Sequence, residues 1–574
     1  MENQTVEGTR DRIGASSLVR TLGVLFVMLV VAYLAYGLFF VPSLYSDDWG
    51  QDMEHLIAGN AKWVDLAHLR PLLFVPFLIQ YHLFGVNVTA NYVILWLLYI
   101  VAAFLIWKIV GAFPSLRSNG FAFVTALFFL IYPTNYAHMW LNMAHHYSGM
   151  VLAILSAYLL LKFAHGGKTS YLLLSFVSLG LSLGLYDGQL GVAAAWPAFL
   201  FLAYRKESPL RRRLALFVPI VLLGGLSTLR ALTYQQPDDF YSASSISLDP
   251  WNLLSRLTLG YKISLAWGWT ETLRYYIPWL EGSKSAVLFL GAAVTVPVLA
   301  AGYLVRDPIH TPNAPLKTAH LWPAIRPYVA AGLVGLALIA AGYIPTVTVF
   351  QPNLSEIASR FNLFASIGAS LFLASGLMVF SILVCRKRSG LRQVFLVSAV
   401  PFLLLGVMTQ ASVQYRNRIV WEEQRTLWQT LFRKAPDIRD DTLVLLVLPG
   451  LQERMAYHSW WRTPLNASWD ASAALRMFYD NPSLSADVLF PDADRFNEPS
   501  LTTAGVVNWQ TRKARPYERT VAFVFDAESR QLTPLESLPA HWVPGATDPV
   551  KLGTDCILPT PVSNIPLRTV LLGD

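Results

Sequence analysis

The chain has 574 residues, of which 54% are hydrophobic and only 14% charged, with a mean hydropathy of +0.43. Soluble domains carry roughly 25% charged residues, so this composition excludes an ordinary soluble enzyme and implies an integral membrane protein. The net charge of +8 is no nucleic-acid signature, because the basic residues lie mostly in short stretches between apolar runs, where they orient a membrane chain.

Residues 1–19 form a short polar start read as cytoplasmic, followed by a run long enough to span. No small-residue cleavage site stands behind a short apolar core, so this is an uncleaved first helix. Apolar runs occur at about 20–42, 88–110, 119–133, 147–164, 170–186, 188–204, 214–233, 285–305, 326–345, 362–385 and 393–413. They predict about eleven spanning helices and a mainly α, polytopic fold.

The run Arg70–Gly85 has roughly sixteen residues against the ~20 needed to cross. If it does not cross, the inner segments hold 19 Lys and Arg, including Arg205, Lys206 and Arg211 to Arg213, and the outer loops before residue 414 hold 7. If it crossed, every later loop would change sides and that basic cluster would lie outside, against the positive-inside rule. The run is therefore expected to lie in, or dip into, the outer interface.

This topology leaves three substantial outer loops, 43–87, 134–146 and 234–284. The first opens on "SLYSDDWGQD", with Asp47 and Asp48 just beyond the first helix. Trp49, Met53, Leu56 and Ile57 recur at helical spacing, so the segment is expected to lie along the bilayer surface. "SDD" is also a good helix cap, and one Asp can cap while the other does chemistry.

The second loop, "YPTNYAHMWLNMAHHYSGM", carries His138, His145 and His146 and no charged residue. The spacing matches no zinc signature, so no metal is expected; the alternatives are a polar substrate pocket and plain interface histidines. Arg230 ends one apolar helix and Arg360 opens another, both on the outer side. Arginines so placed either snorkel or bind an anion, and the second option fits a phosphate near the acidic pair.

Residues 414–574 are far more polar and mix helical patterns, "WEEQRTLWQTLFRKA", with a strand-like run, "DTLVLLVLPG". They are read as a soluble α+β domain outside the membrane. Cys385 and Cys556 fall on opposite sides, so no intrachain disulfide is expected.

With "SDDW" after the first helix, a short "RP" helix ending in "LFGVN", the entry "NYVILWLLYIVAAFLIW", the exit "LIYPTNYAHMW" and the start "YDGQLGVAAAWPAFLFL", about residues 20–380 resemble the GT-C superfamily in architecture, within a membrane region read as 20–413. The nearest groups are the protein O-mannosyltransferase and aminoarabinose-transferase types. Many relatives have a carboxylate where this chain has "AHLRPLL", with His68 and Arg70. The resemblance implies a GT-C-like membrane fold and an inverting glycosyltransferase. Its donor would be a polyprenyl-phosphate-linked sugar, its acceptor a hydroxyl of a glycan, lipid or protein, and it would need no cofactor or metal.

The resemblance makes Asp47 or Asp48 the base that takes the acceptor proton, and Arg360, with Arg230 or Arg70, the stabilisers of the departing phosphate. His68, His138, His145 and His146 would line the pocket. A transporter or flippase of a lipid-linked sugar is the rival from another class, but no internal repeat is visible and the polar residues cluster at one face. A polymerase or ligase of the same superfamily and a non-catalytic scaffold are further alternatives. The expected location is a bacterial inner membrane, with residues 414–574 extracytoplasmic.

Overall fold

The structure is a computed structural model. It describes the chain except residues 1–2, 67, 114–115, 117–118, 234–246, 248, 272, 274–289, 296–297, 299–320, 355–357, 386–387, 451–464, 466–467, 492–497, 509–511, 527, 560–565 and 573–574. Most of the run at 285–305 and much of the loop at 234–284 therefore lie outside the described residues.

Among the described residues seven helices are long and apolar enough to cross a membrane: Leu18–Gly37, Val88–Gly111, Leu141–Gly166, Leu210–Thr233, Leu321–Val347, Ala365–Val384 and Gly390–Lys434. The molecule is a multi-pass membrane protein. Shorter apolar helices at Gly120–Leu130, Thr169–Leu185 and Leu190–Ala203 fall on three more of the expected apolar runs. The ambiguous run forms only Val75–Phe84. Ten residues rise about 15 Å, half of a ~30 Å hydrocarbon core, so this helix does not cross unaided.

The bundle is built round the helix Asn119–Leu130, in which every residue from Phe121 to Leu130 is fully buried. A helix apolar on all sides needs protein on all sides, and it packs against Val88–Gly111, Ala365–Val384 and Arg388–Lys434. Leu321–Val347 and Ala365–Val384 approach closely through glycine. A Cβ on Gly335 would sit 2.7 Å from the Gly368 carbonyl oxygen, and one on Gly368 would sit 2.4 Å from the Gly335 oxygen. Only a missing side chain on both helices lets their backbones meet in this way.

Arg388–Lys434 is one continuous helix of 47 residues, about 70 Å long. The expected boundary at 413/414 falls inside it, so the last span and the first helical pattern of the polar region form one rigid strut. Beyond it, Leu443–Val447 pairs in parallel with Ser485–Leu489 and Thr520–Asp526, and Gln531–Leu535 adds an antiparallel edge. All five residues of Leu443–Val447 are buried, as a central strand covered on both faces requires.

Helix Ser468–Tyr479 lies between the first two of these parallel strands in the chain and packs against Ser485–Leu489. A second, three-stranded sheet joins Ser500–Thr502, Gly505–Val507 and Ala514–Arg515. The strand-like run "DTLVLLVLPG" is thus the centre of an α+β domain. Both cysteines are free.

Candidate active site

Asp47 and Asp48 begin a helical turn, and Asp48–Glu54 leads into His55–Ile57. Asp48 is fully buried. Its Oδ2 accepts from the Tyr45 backbone N–H at 3.0 Å and its Oδ1 from the Asn142 N–H at 2.8 Å. The carboxylate thereby fastens the first outer loop to the second. It does not cap its own helix, so the capping alternative is replaced by a bridge between loops.

Burial pushes Asp48 up to about 7; the two N–H donors hold it back and the neighbouring Asp47 charge adds to the rise. Asp47 is only partly buried. Desolvation raises it as well, against the Arg360 guanidinium, which favours the charged form. One carboxylate is fixed by backbone and its neighbour is left with freedom to react.

The expected bilayer-facing stripe is a protein contact. Trp49, Met53 and Leu56 are buried, and Trp49 lies 6.4 Å from Trp421 and 5.3 Å from Phe478 by ring centroids. Lipid is replaced there by the long strut and the C-terminal domain. Ile57 alone of the four stays exposed, at 40%.

Arg360 lies in the turn Ala358–Asn362, with its guanidinium 5.1 Å from the Phe361 ring centre. It acts on Asp47, His145 and His146 alike, which places it among all three. Arg70 reaches the same pair of histidines. It is held by Asp187 at 3.1 Å and stacks over Tyr186 at 4.4 Å. The rings of His145 and His146 are 4.1 Å apart, and His146 sits 3.8 Å from Tyr186. Asp47, Arg360, Arg70 and the two histidines thus form one cluster.

Three of the expected site residues have other tasks. His138 is buried in the bundle, with Nδ1 2.8 Å from the Tyr147 hydroxyl and Nε2 2.9 Å from Gln410 Oε1. Burial lowers it to about 4, so it is a neutral hydrogen-bonding node. His68 Nδ1 accepts from the Arg70 backbone N–H at 3.0 Å within its own turn. Arg230 donates to the carbonyls of Leu66 and His68 and so braces that turn.

Sequence reasoning assigned no role to Tyr186 or Asp187. Asp187 had a signal, a lone acid opening an apolar run. Among the described residues no group of three or more His, Cys, Asp or Glu side chains is placed to hold a metal ion.

Next to Tyr186, Met150, Gln189, Val192, Trp196, Phe364 and Ile367 line a narrow, mostly apolar crevice with room for about one water. Phe364 stacks on Tyr186 at 5.9 Å, so the crevice adjoins the histidine pair. The arrangement offers a partly exposed carboxylate, two guanidiniums and an apolar recess on one side of them.

No family model matches the chain, and no curated protein matches it. Among solved structures it is similar to ArnT from Cupriavidus metallidurans bound to undecaprenyl phosphate, with a TM-score of 0.38 and 12% identity over 82% of this chain and 89% of that one. It is similar also to the apo state of that protein, with a TM-score of 0.37 and 12% identity over 82% of this chain and 90% of the other.

Proposed function

We propose that this chain is a GT-C-type membrane glycosyltransferase that moves a sugar from a polyprenyl-phosphate donor to an acceptor hydroxyl on the outer face of a bacterial inner membrane, with inversion. The observation that carries this is the unequal treatment of the two carboxylates. Asp48 is locked to the backbone of two loops, while Asp47 is left partly exposed beside Arg360. A general base needs that combination of fixed support and access.

In this mechanism Asp47 takes the proton of the acceptor hydroxyl. The oxygen attacks the anomeric carbon, the bond to phosphate oxygen breaks with its electron pair going to the phosphate, and polyprenyl phosphate leaves. Arg360 and Arg70 face the growing negative charge, each as a fixed cation in a site with little water. Arg70 is held for this by Asp187 and Tyr186. Charge on a monophosphate is neutralised by the guanidiniums, so the mechanism is metal-independent. His145 and His146 wall the pocket between them, and the C-terminal domain lies on the extracytoplasmic side.

Incubating the purified protein with a panel of polyprenyl-phosphate sugars tests the proposal. Release of polyprenyl phosphate with one donor is expected. Movement of an intact donor across a vesicle membrane without cleavage would make the chain a flippase instead.

A further inference from the structure

The acidic loop is held from two sides. Its start is tied to the bundle, where the Tyr92 hydroxyl donates to the Ser43 carbonyl at 3.1 Å and the Asn142 N–H donates to Asp48. From Trp49 onward it meets the polar end of the chain. Trp49 is buried against Trp421 of the strut and Phe478 of helix Ser468–Tyr479. A Cβ built on Gly50 would lie 3.5 Å from the Ala473 Cβ and 3.7 Å from the Trp469 carbonyl oxygen, so the loop runs close against that helix. One turn further on, Arg476 grips Glu54 with two bonds, Nε to Oε1 at 2.5 Å and a terminal nitrogen to Oε2 at 2.8 Å. A carboxylate in the fork of a guanidinium is fixed in orientation as well as distance. Only 28% of the Arg476 side chain and 26% of the Glu54 side chain is exposed, so solvent and salt screen this pair less than a surface one.

The helix that carries Arg476 is itself anchored. The Tyr479 hydroxyl donates to the Ala435 carbonyl at 2.6 Å, just past the end of the strut, and the Phe478 ring lies 5.5 Å from Trp428 and 5.5 Å from Phe432. Arg568, from helix Pro566–Leu572, donates to the Phe478 carbonyl at 2.8 Å and stacks 4.0 Å from the Phe432 ring centre. A continuous path of packed groups thus runs from the last spanning helix, through Ser468–Tyr479, to Glu54. Glu54 ends the seven-residue turn that Asp48 begins.

We propose that Arg476 is a positioning residue, whose fork on Glu54 fixes the far end of the acidic turn while the bundle fixes the near end. The inference rests on the acidic pair being the reacting site. A turn released at one end pivots about the other, and a displacement of about 1 Å at a reacting group costs up to ~100-fold in rate.

The test uses the full chain in lipid nanodiscs, with Arg476→Glu, Arg476→Lys, Glu54→Arg and the double swap of Glu54→Arg with Arg476→Glu. Amide hydrogen exchange is read across residues 43–57, and kcat and donor KM are read for sugar transfer. Arg476→Glu is expected to speed exchange at residues 49–54 by about tenfold or more, because local opening governs exchange there. Its kcat should fall about tenfold with donor KM within about twofold of wild type, since a misplaced base slows chemistry without weakening donor binding. The double swap should bring both readings back to within about threefold of wild type. Lysine keeps the charge but not the fork, so Arg476→Lys should unfold at the wild-type temperature and still lose about threefold in kcat.

Unchanged exchange at residues 49–54 in Arg476→Glu overturns the proposal. Faster exchange with an unchanged kcat also overturns it, since the pair would then be a structural contact only. A double swap as impaired as the single variants does the same. Should Arg476→Glu fail to fold, Arg476→Lys decides: full kcat there overturns the proposal, and reduced kcat at an unchanged unfolding temperature supports it. Faster exchange that the swap reverses, with no transfer by any form, wild type included, supports the positioning of the turn and removes the enzyme assignment.

Discussion

The loop between residues 134 and 146 contains three histidines with opposite fates. Around His138 a network of protein hydrogen bonds ties the loop to the bundle. Tyr36 and Tyr99 donate to the carbonyls of Leu130 and Phe129, Gln410 donates to Tyr132 and Asn135 at 3.0 Å each, and Asn362 donates to Thr134 at 2.8 Å. Side chains from four helices thus complete the end of the central helix, whose carbonyls have no partner of their own. Seven residues later, His145 and His146 stand among Arg70, Arg360 and Tyr186. The first region is a closed network that fixes the bundle; the second gathers charged side chains, with Arg70 paired to Asp187 and Arg360 beside Asp47. Residue type does not separate the two, but the neighbours do.

The largest expected effect belongs to the charged region. Asp47→Asn should lower transfer by about 10²–10⁴-fold, the usual loss of a general base, while the unfolding temperature stays near wild type. Full turnover by this variant would reduce the charged region to another structural network. Asp48→Asn should differ in kind. An amide cannot accept from both N–H groups with both of its ends, so one donor is left buried and unpaired at a cost of about 1–3 kcal/mol. Loss of stability should therefore accompany its loss of activity.

His138→Phe should do the reverse of Asp47→Asn. It strands Tyr147 and Gln410 and should cost about 2–4 kcal/mol, with kcat in the folded fraction close to wild type. A large kcat loss in fully folded His138→Phe would erase the distinction between the two regions.

A smaller effect concerns pH. Both carboxylates of the pair are raised above the usual 3.8, Asp48 to about 7. Their ionised forms are needed for the base to work, so activity should fall as pH drops from about 7 towards 4, with apparent midpoints that belong to the pair. An acid limb below pH 4 would contradict this.

The smallest effect lies in the C-terminal domain, where burial raises Asp487 to about 6 against hydrogen bonds from Ser468 and Asn508. The folded state holds this proton more tightly than the unfolded one. Stability is therefore highest below about pH 4 and declines as pH rises through 6. Asp487→Asn should remove that decline and stabilise the domain by about 1–3 kcal/mol at neutral pH. Melting curves across pH 4 to 7 check the sign.

Much of the bundle was legible because lipid leaves few choices. Runs of about twenty apolar residues must become helices, and the short Arg70–Gly85 run was read from its length together with the charge bias of the loops. The central strand at 443–447 was legible for a similar reason, since an unbroken β-branched and Leu run suits a buried parallel strand. The acidic pair and Arg360 were found because charge is rare at such positions. The surroundings of His138 were not legible, because its partners, Tyr147 and Gln410, come from elsewhere in the fold, and no local pattern announces Gln410. The pairing of Arg476 with Glu54 spans more than four hundred residues of chain, beyond the reach of any spacing rule. The stripe of Trp49, Met53 and Leu56 was seen, but its partner was taken to be lipid, because amphipathicity says that a face is covered and not by what.

The most direct test of the central claim is single-turnover release of polyprenyl phosphate from a matched donor, measured side by side for wild type and Asp47→Asn at saturating acceptor. The account predicts a burst of polyprenyl phosphate equal to the enzyme present in the wild type, and release at least a hundredfold slower in the variant, with donor binding retained. Equal release by both proteins would contradict it.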